Sequence, residues 1–307
     1  MEYTKRYLAE EVALDHADGQ MTRREALRRL GMMGISLTTA SALLAACGGG
    51  GDDQVVAPEG QASSTTAAPV ATTVASPSTT RPPTTPVPSQ DITFPGPRGT
   101  LMGAYAQAAN AKGAVLVVHE NRGLVEGTRA VAARFAGDGY SALAIDLVSG
   151  VNPGGTAAVP AGDVGALLSN ADVSDRRADL KAGFDELLKR NAGKKLGMIG
   201  FCFGGTVVWD YLTTGDARLA AAAPFYGGTV EGANYTAKAA VLGVYGETDA
   251  RINATRDAAK ANLVRAGVPH EIKTYAGVGH GFYSQVESQQ SKQAYSDTLD
   301  WFDRYLR

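Results

Sequence analysis

Strand-like runs at residues 114–119, 140–146, 196–200, 220–226, 241–245 and 271–275 alternate with longer stretches of helical spacing. Most of these runs are almost wholly apolar, as strands buried on both faces must be. Residues 128–138 place Val131, Ala132 and Phe135 on one helical face and stop at Gly139. Residues 173–191 do the same with Leu180, Phe184, Leu187 and Leu188, and 204–214, 254–266 and 289–306 read as further helices. Such alternation predicts a mainly parallel, twisted sheet with helices on both faces. Residues 92–94 and 102–107 predict an antiparallel edge, and no internal repeat is visible.

Composition narrows the function. Of 307 residues, 29 are basic and 31 acidic, a formal charge of −2. From Asp91 onward the two signs number 22 each. That balance excludes a nucleic-acid binder held by bulk charge. No apolar run in this part is long enough for a multi-span membrane protein. Two cysteines, Cys47 and Cys202, are too few for a disulfide framework or an all-cysteine zinc site.

Before residue 90 the composition changes. Arg23-Arg24 follows Thr22, Arg28-Arg29 comes next, and an apolar, small-residue run extends from Leu30 to Ala46. A basic region followed by such a run reads as an export signal. The arginine pair resembles a twin-arginine signal, the route that exports folded proteins, although about twenty polar residues precede it. The run ends Leu44-Ala45-Ala46-Cys47-Gly48, which resembles the lipobox of bacterial lipoproteins. That resemblance implies cleavage before Cys47, lipidation of its thiol and a membrane anchor on the extracytoplasmic face; simple cleavage with an incidental Cys47 is the alternative. From Pro58 to Gln90, 20 of 33 residues are Pro, Ser or Thr. Such a segment buries too little apolar surface to offset its ordering entropy, so 48–90 reads as a disordered spacer. The organisation expected is signal at 1–47, linker at 48–90 and one α/β domain at 91–307.

The residues that carry chemistry stand at strand ends. Gly200-Phe201-Cys202-Phe203-Gly204-Gly205 follows one apolar strand and opens a helix. A nucleophile elbow needs this layout: small neighbours admit a strained turn, and the helix start supplies N–H groups and a positive dipole end. Alone, a cysteine in a Gly-rich turn is more often a small buried hydrophobe. Two later features change the weighting. Glu247-Thr248-Asp249 ends the strand at 241–245, and Gly279-His280-Gly281 lies beyond the next. Separately, Asp249 reads equally as a turn or N-cap residue and His280 as a plain loop residue. Together, nucleophile, acid and histidine fall in the chain order of the α/β-hydrolase arrangement. Cys202, Asp249 and His280 are therefore the candidate triad.

At these residues the chain resembles the dienelactone hydrolase family. The resemblance rests on the cysteine elbow at 200–205, Glu-Thr-Asp at 247–249, Gly-His-Gly-Phe at 279–282 and His119-Glu120-Asn121-Arg122-Gly123-Leu124. It covers roughly 91–307 and implies an α/β-hydrolase fold that cleaves enol-lactones and related esters through a thiol-ester. It implies no metal, no nucleotide and no other cofactor. It also implies that Glu120 contacts the resting thiol and helps to activate it; an ion pair with Arg122 that merely holds the loop is the plainer reading of Glu120. His119 reads as a buried hydrogen-bonded residue. The backbone N–H groups of Asn121 and Phe203 are oxyanion-hole candidates by position. The family's members carry an Arg four residues beyond the catalytic histidine for a substrate carboxylate; here Ser284 stands there, and Ser284 by its position and Arg122 by its charge are the substrate-binding candidates. The loop from Asn152 to Asn170 is expected to form pocket wall. The partners expected are a small ester or lactone and a membrane, with no nucleic acid, and the chain is expected to be a monomer. A carboxylesterase or acyl hydrolase for another small ester, and a non-catalytic ligand-binding surface lipoprotein, are the alternatives.

Overall fold

The computed structural model describes residues 3–17, 21–47 and 84–307. The greater part of the linker expected at 48–90 therefore lies outside the described residues. In chain order the helices are α1 (Tyr3–Ala17), α2 (Arg23–Met32), α3 (Leu37–Cys47), α4 (Glu126–Gly137), α5 (Val164–Asn170), α6 (Val173–Arg190), α7 (Phe203–Tyr211), α8 (Ala250–Asn253), α9 (Arg256–Ala266) and α10 (Gln289–Tyr305). The strands are β1 (Gln90–Gly96), β2 (Gly99–Ala106), β3 (Gly113–Val118), β4 (Tyr140–Asp146), β5 (Leu196–Phe201), β6 (Leu219–Phe225), β7 (Ala240–Gly246) and β8 (His270–Tyr275). They form one sheet in the order β1-β2-β4-β3-β5-β6-β7-β8. β1 and β2 pair antiparallel, as does β2 with β4; every later pairing is parallel. This is the α/β-hydrolase fold.

Burial explains why the strands were legible. Every residue of β3, β4, β5 and β7 is buried, and apart from Ser141 and Asp146 of β4 their composition is apolar throughout. β8 closes the sheet edge and is only half buried, which leaves room for Glu271 and Lys273. α4 and α10 share one face, where Phe135 meets Tyr295 and Phe302. α6 and α7 share the other, where Phe184 meets Tyr211. Each fully buried side chain of this size stabilises the fold by about 1.5–3 kcal/mol. Asp172 caps α6 through the Ser174 N–H, and Ser288 caps α10 through the Ser291 N–H. The helix expected over 254–266 is α9, which begins at Arg256, and the short helix α8 ahead of it was not expected.

Residues 1–47 were given no part in the fold by their composition, yet the described portion packs on the domain. α1 contacts α2, α3, α5 and α7. Tyr7, Leu8, Ala9, Val12 and Ala13 join the same apolar cluster as the strands. Arg28 of α2 pairs with Asp163 at 2.8 Å, and the Asn170 amide donates to the Met32 carbonyl at 3.0 Å. Among the described residues no helix is long and apolar enough to cross a membrane.

Candidate active site

The turn between β5 and α7 puts Cys202 at φ 55°, ψ −118°. This left-handed conformation is strained for a residue with a Cβ. Glycines make the turn possible. A Cβ on Gly200 would lie 2.2 Å from the Gly204 carbonyl oxygen, and one on Gly204 would lie 2.5 Å from that of Val118. One on Gly205 would lie 2.3 Å from the Phe225 carbonyl oxygen. The strain is held by the ladder: the Cys202 N–H donates to Phe225 at 3.1 Å, and its carbonyl accepts from the Thr206 N–H at 3.1 Å.

The β7 end carries Asp249, and its two oxygens divide the roles that sequence left open. Oδ1 accepts from the Ile252 N–H at 3.2 Å and caps α8. Oδ2 lies 2.6 Å from His280 Nδ1. The capping role and the histidine contact coexist. His280 sits in the loop after β8, which the Glu247 carboxylate holds by accepting the Gly277 N–H at 2.8 Å. With Nδ1–H donated to Asp249, the Nε2 lone pair faces the site. A His280 ring nitrogen, the Cys202 sulfur and a Glu11 carboxylate oxygen lie within 4.8 Å of one another.

Cys202 is only 4% exposed. Burial, and after it the nearby Glu120 carboxylate, pushes its thiol up to about 12. The backbone N–H groups of Phe203 and Asn121 are turned toward the sulfur. Asn121 belongs to the loop after β3, which buried His119 anchors. The Leu147 N–H donates to His119 Nε2 at 3.1 Å, so Nδ1–H donates to the Glu120 carbonyl at 2.7 Å. His119 is thus a neutral, hydrogen-bonded core residue, its ionisation lowered by burial.

Glu120 reaches both reacting candidates electrostatically but bonds elsewhere. Its carboxylate accepts from the Tyr226 hydroxyl at 3.3 Å, and burial raises its ionisation. Arg122 acts on Glu120 only through its charge; the side chain is exposed and lines a crevice shared with Asn121, Leu8 and Val12. Ser284 is exposed, and its hydroxyl donates to Gly281 at 2.8 Å, so its polar group serves its own turn. The segment 152–170 contributes Ala161, Gly162, Gly165 and Ala166 to the crevice wall.

Four site neighbours carried no sequence signal. Tyr226 has φ 35° and sets its ring edge-on to His280 at 5.1 Å between centroids. The Tyr7 hydroxyl donates to the Cys202 sulfur at 3.4 Å. Glu11 lies 3.5 Å from His280 Nε2 and pairs closely with Arg251. The Arg251 guanidinium stands 4.5 Å from the Tyr7 ring centre. Glu11, Cys202 and His280 carry donors of the types that hold zinc. Here the Glu11 charge is already matched by Arg251, and the sulfur accepts from Tyr7.

An α/β-hydrolase sheet with a cysteine elbow and a histidine–carboxylate pair defines a class. The pattern of the dienelactone hydrolase family spans residues 101–306, and the chain belongs to that family. It is 26% identical over 207 residues to the carboxymethylenebutenolidase homolog of Rattus norvegicus, covering 63% of this chain and 82% of that one. The dienelactone hydrolase from Anabaena variabilis is similar in fold, with TM-score 0.58 and 19% identity over 72% of this chain and 100% of that one. A dienelactone hydrolase-like promiscuous phosphotriesterase from metagenomic libraries reaches TM-score 0.61 at 21% identity, over 71% and 98% respectively.

Proposed function

We propose that the protein hydrolyses a small lactone or carboxylic ester through a thiol-ester on Cys202. The observation that carries this reading is the 2.6 Å His280–Asp249 contact, whose ring lies within 4.8 Å of a thiol on a strained helix-start turn. His280 Nε2 takes the Cys202 proton as the sulfur attacks the substrate carbonyl. The N–H groups of Phe203 and Asn121 receive the developing oxyanion. Collapse breaks the C–O bond, and the leaving alcohol or enol takes the proton from His280. Water, deprotonated by His280, then attacks the thiol-ester; the acid departs and the thiol is restored. Asp249 fixes the ring and balances its charge during both proton transfers. No step needs a metal or a cofactor.

Two features bear on substrate. Ser284 gives no positive charge where the family resemblance expects one, so we assign recognition of a substrate carboxylate to Arg122 at the crevice. Hydrolysis of cis-dienelactone and of a nitrophenyl ester tests the reading. In the chain freed of its amino-terminal segment by a cut after Thr66, turnover of either fits it, a preference for the dienelactone points to an anionic lactone, and inertness toward both contradicts it.

The reading also fixes how the thiol titrates. With its ionisation near 12, Cys202 is almost entirely protonated at neutral pH, and only the thiolate is alkylated. Its rate with iodoacetamide should rise about tenfold per pH unit between pH 7 and pH 10. Glu120 disfavours the thiolate, so Glu120→Gln should lower the thiol's ionisation and shift the profile to lower pH. Burial, the larger cause, remains. Superimposable profiles in the two proteins would reduce Glu120 to a loop residue.

For location, we propose export by the Arg23-Arg24 signal and anchoring through lipid on Cys47. Each buried methylene contributes about 0.8 kcal/mol, so two acyl chains anchor stably. Cys47→Ala should move the protein from the membrane fraction to the soluble fraction. Unchanged membrane association would refute the lipid anchor.

A further inference from the structure

We infer that helix α1 is an intramolecular inhibitor, seated on the Cys202 site and serving as its first binding partner. The inference rests on the reading of Cys202 and His280 as the reacting groups. A substrate carbonyl must reach the sulfur and the two N–H groups beside it. In the intact chain that space is filled by the Tyr7 hydroxyl, which donates to the sulfur at 3.4 Å. The other reacting atom is covered as well: His280 Nε2 is buried, makes no hydrogen bond among the described residues, and has the Glu11 carboxylate 3.5 Å away. Tyr7 and Glu11 are four residues apart, so one helical face presents both. The Tyr7 residue is 2% exposed and Glu11 is 6% exposed, although seven of the fifteen residues of α1 are polar or charged.

Separate contacts hold that face in register. Arg251, two residues beyond Asp249, pairs with Glu11 and stands 4.5 Å from the Tyr7 ring centre. The Arg176 guanidinium donates to the Thr4 hydroxyl at 3.1 Å. Tyr3 comes so near Gly228 that a Cβ there would lie 2.1 Å from its hydroxyl. Arg28 of α2 adds its pair with Asp163. A glutamate buried beside a catalytic histidine is costly unless paired, and Arg251 supplies the pair. The complementarity is specific: a phenol to the thiol, a carboxylate to a guanidinium, a hydroxyl to a second guanidinium. Because α1 to α3 all precede residue 48, a cut after Ala46 severs the covalent link that keeps the inhibitor at high effective concentration. The chain would then be inactive before processing and active after it.

The full chain carrying Cys47→Ser tests this, since Cys202 is then its single thiol. Two rates are measured: alkylation of Cys202 by iodoacetamide and hydrolysis of p-nitrophenyl acetate. Tyr7→Ala combined with Glu11→Ala should raise both by about tenfold or more. A protease site inserted after Thr66 gives a second route: the chain folds intact, is cut, and is separated from its amino-terminal piece by gel filtration. The cut chain should match the double variant, and it decides the matter if the double variant misfolds. Equal alkylation rates in the intact and the cut chain would overturn the inference. So would full hydrolysis by the intact chain that no cut or substitution increases. Faster alkylation without hydrolysis would uphold the cover over the thiol and instead refute the hydrolase reading.

Discussion

Cys202→Ala is expected to lower kcat for a nitrophenyl ester by roughly 10⁴- to 10⁶-fold, as loss of a nucleophile does elsewhere. The comparison belongs in the chain cut after Thr66, where the site is open. The change removes one sulfur, whose one side-chain donor among the described residues is the Tyr7 hydroxyl, so the fold should hold. Alanine also relieves nothing at the turn, because φ 55° strains any residue with a Cβ. A loss of activity with unchanged circular dichroism and melting temperature is therefore a loss of chemistry. Near-native turnover by Cys202→Ala would end the thiol-ester account.

Asp249→Asn is expected to lower kcat by roughly 10³- to 10⁴-fold with little effect on stability. The reason lies in the two oxygens. An asparagine oxygen still accepts from the Ile252 N–H, so the α8 cap survives. The amide nitrogen then faces His280 Nδ1 where Oδ2 stood, 2.6 Å away, and a donor meets a donor. The ring turns to the tautomer with its proton on Nε2, which cannot take the thiol proton. Asp249→Ala differs in one respect: it also removes the cap, at about 1 kcal/mol of stability. Equal stability of the two variants would mean that the cap is immaterial; equal activity of Asp249→Asn and the parent would mean that the carboxylate does not orient the base.

How much of this was readable in the sequence follows from the range of each interaction. The central strands were legible because burial on both faces admits only apolar residues, as in β3 and β5. The elbow was legible because three glycines must stand at 200, 204 and 205 for backbone to pass within 2.2–2.5 Å of where a Cβ would be. Asp249 and His280 stood out through their places after β7 and β8. The rest depends on contacts that leave no local trace. Tyr7 meets Cys202 across 195 residues, and Glu11 meets Arg251 across 240. Nothing in a polar stretch such as 3–17 marks which carboxylate will be buried against a guanidinium far along the chain. Tyr226 directly follows an ordinary apolar strand, and neither its φ of 35° nor the reach of its hydroxyl to Glu120 is marked in the local sequence. Ser284 shows the converse: chain position suggested a binding role, but its hydroxyl closes its own turn.

The most direct test of the account is to trap the acyl group. The Cys47→Ser chain, cut after Thr66, is mixed with p-nitrophenyl acetate, quenched in acid within the first turnovers and digested for mass spectrometry. The account predicts an acetyl group on the peptide bearing Cys202, present during turnover and gone once substrate is exhausted, and absent from Cys202→Ala. Steady hydrolysis with Cys202 never acetylated, or an acetyl group on another residue that forms and decays at the rate of turnover, would contradict it.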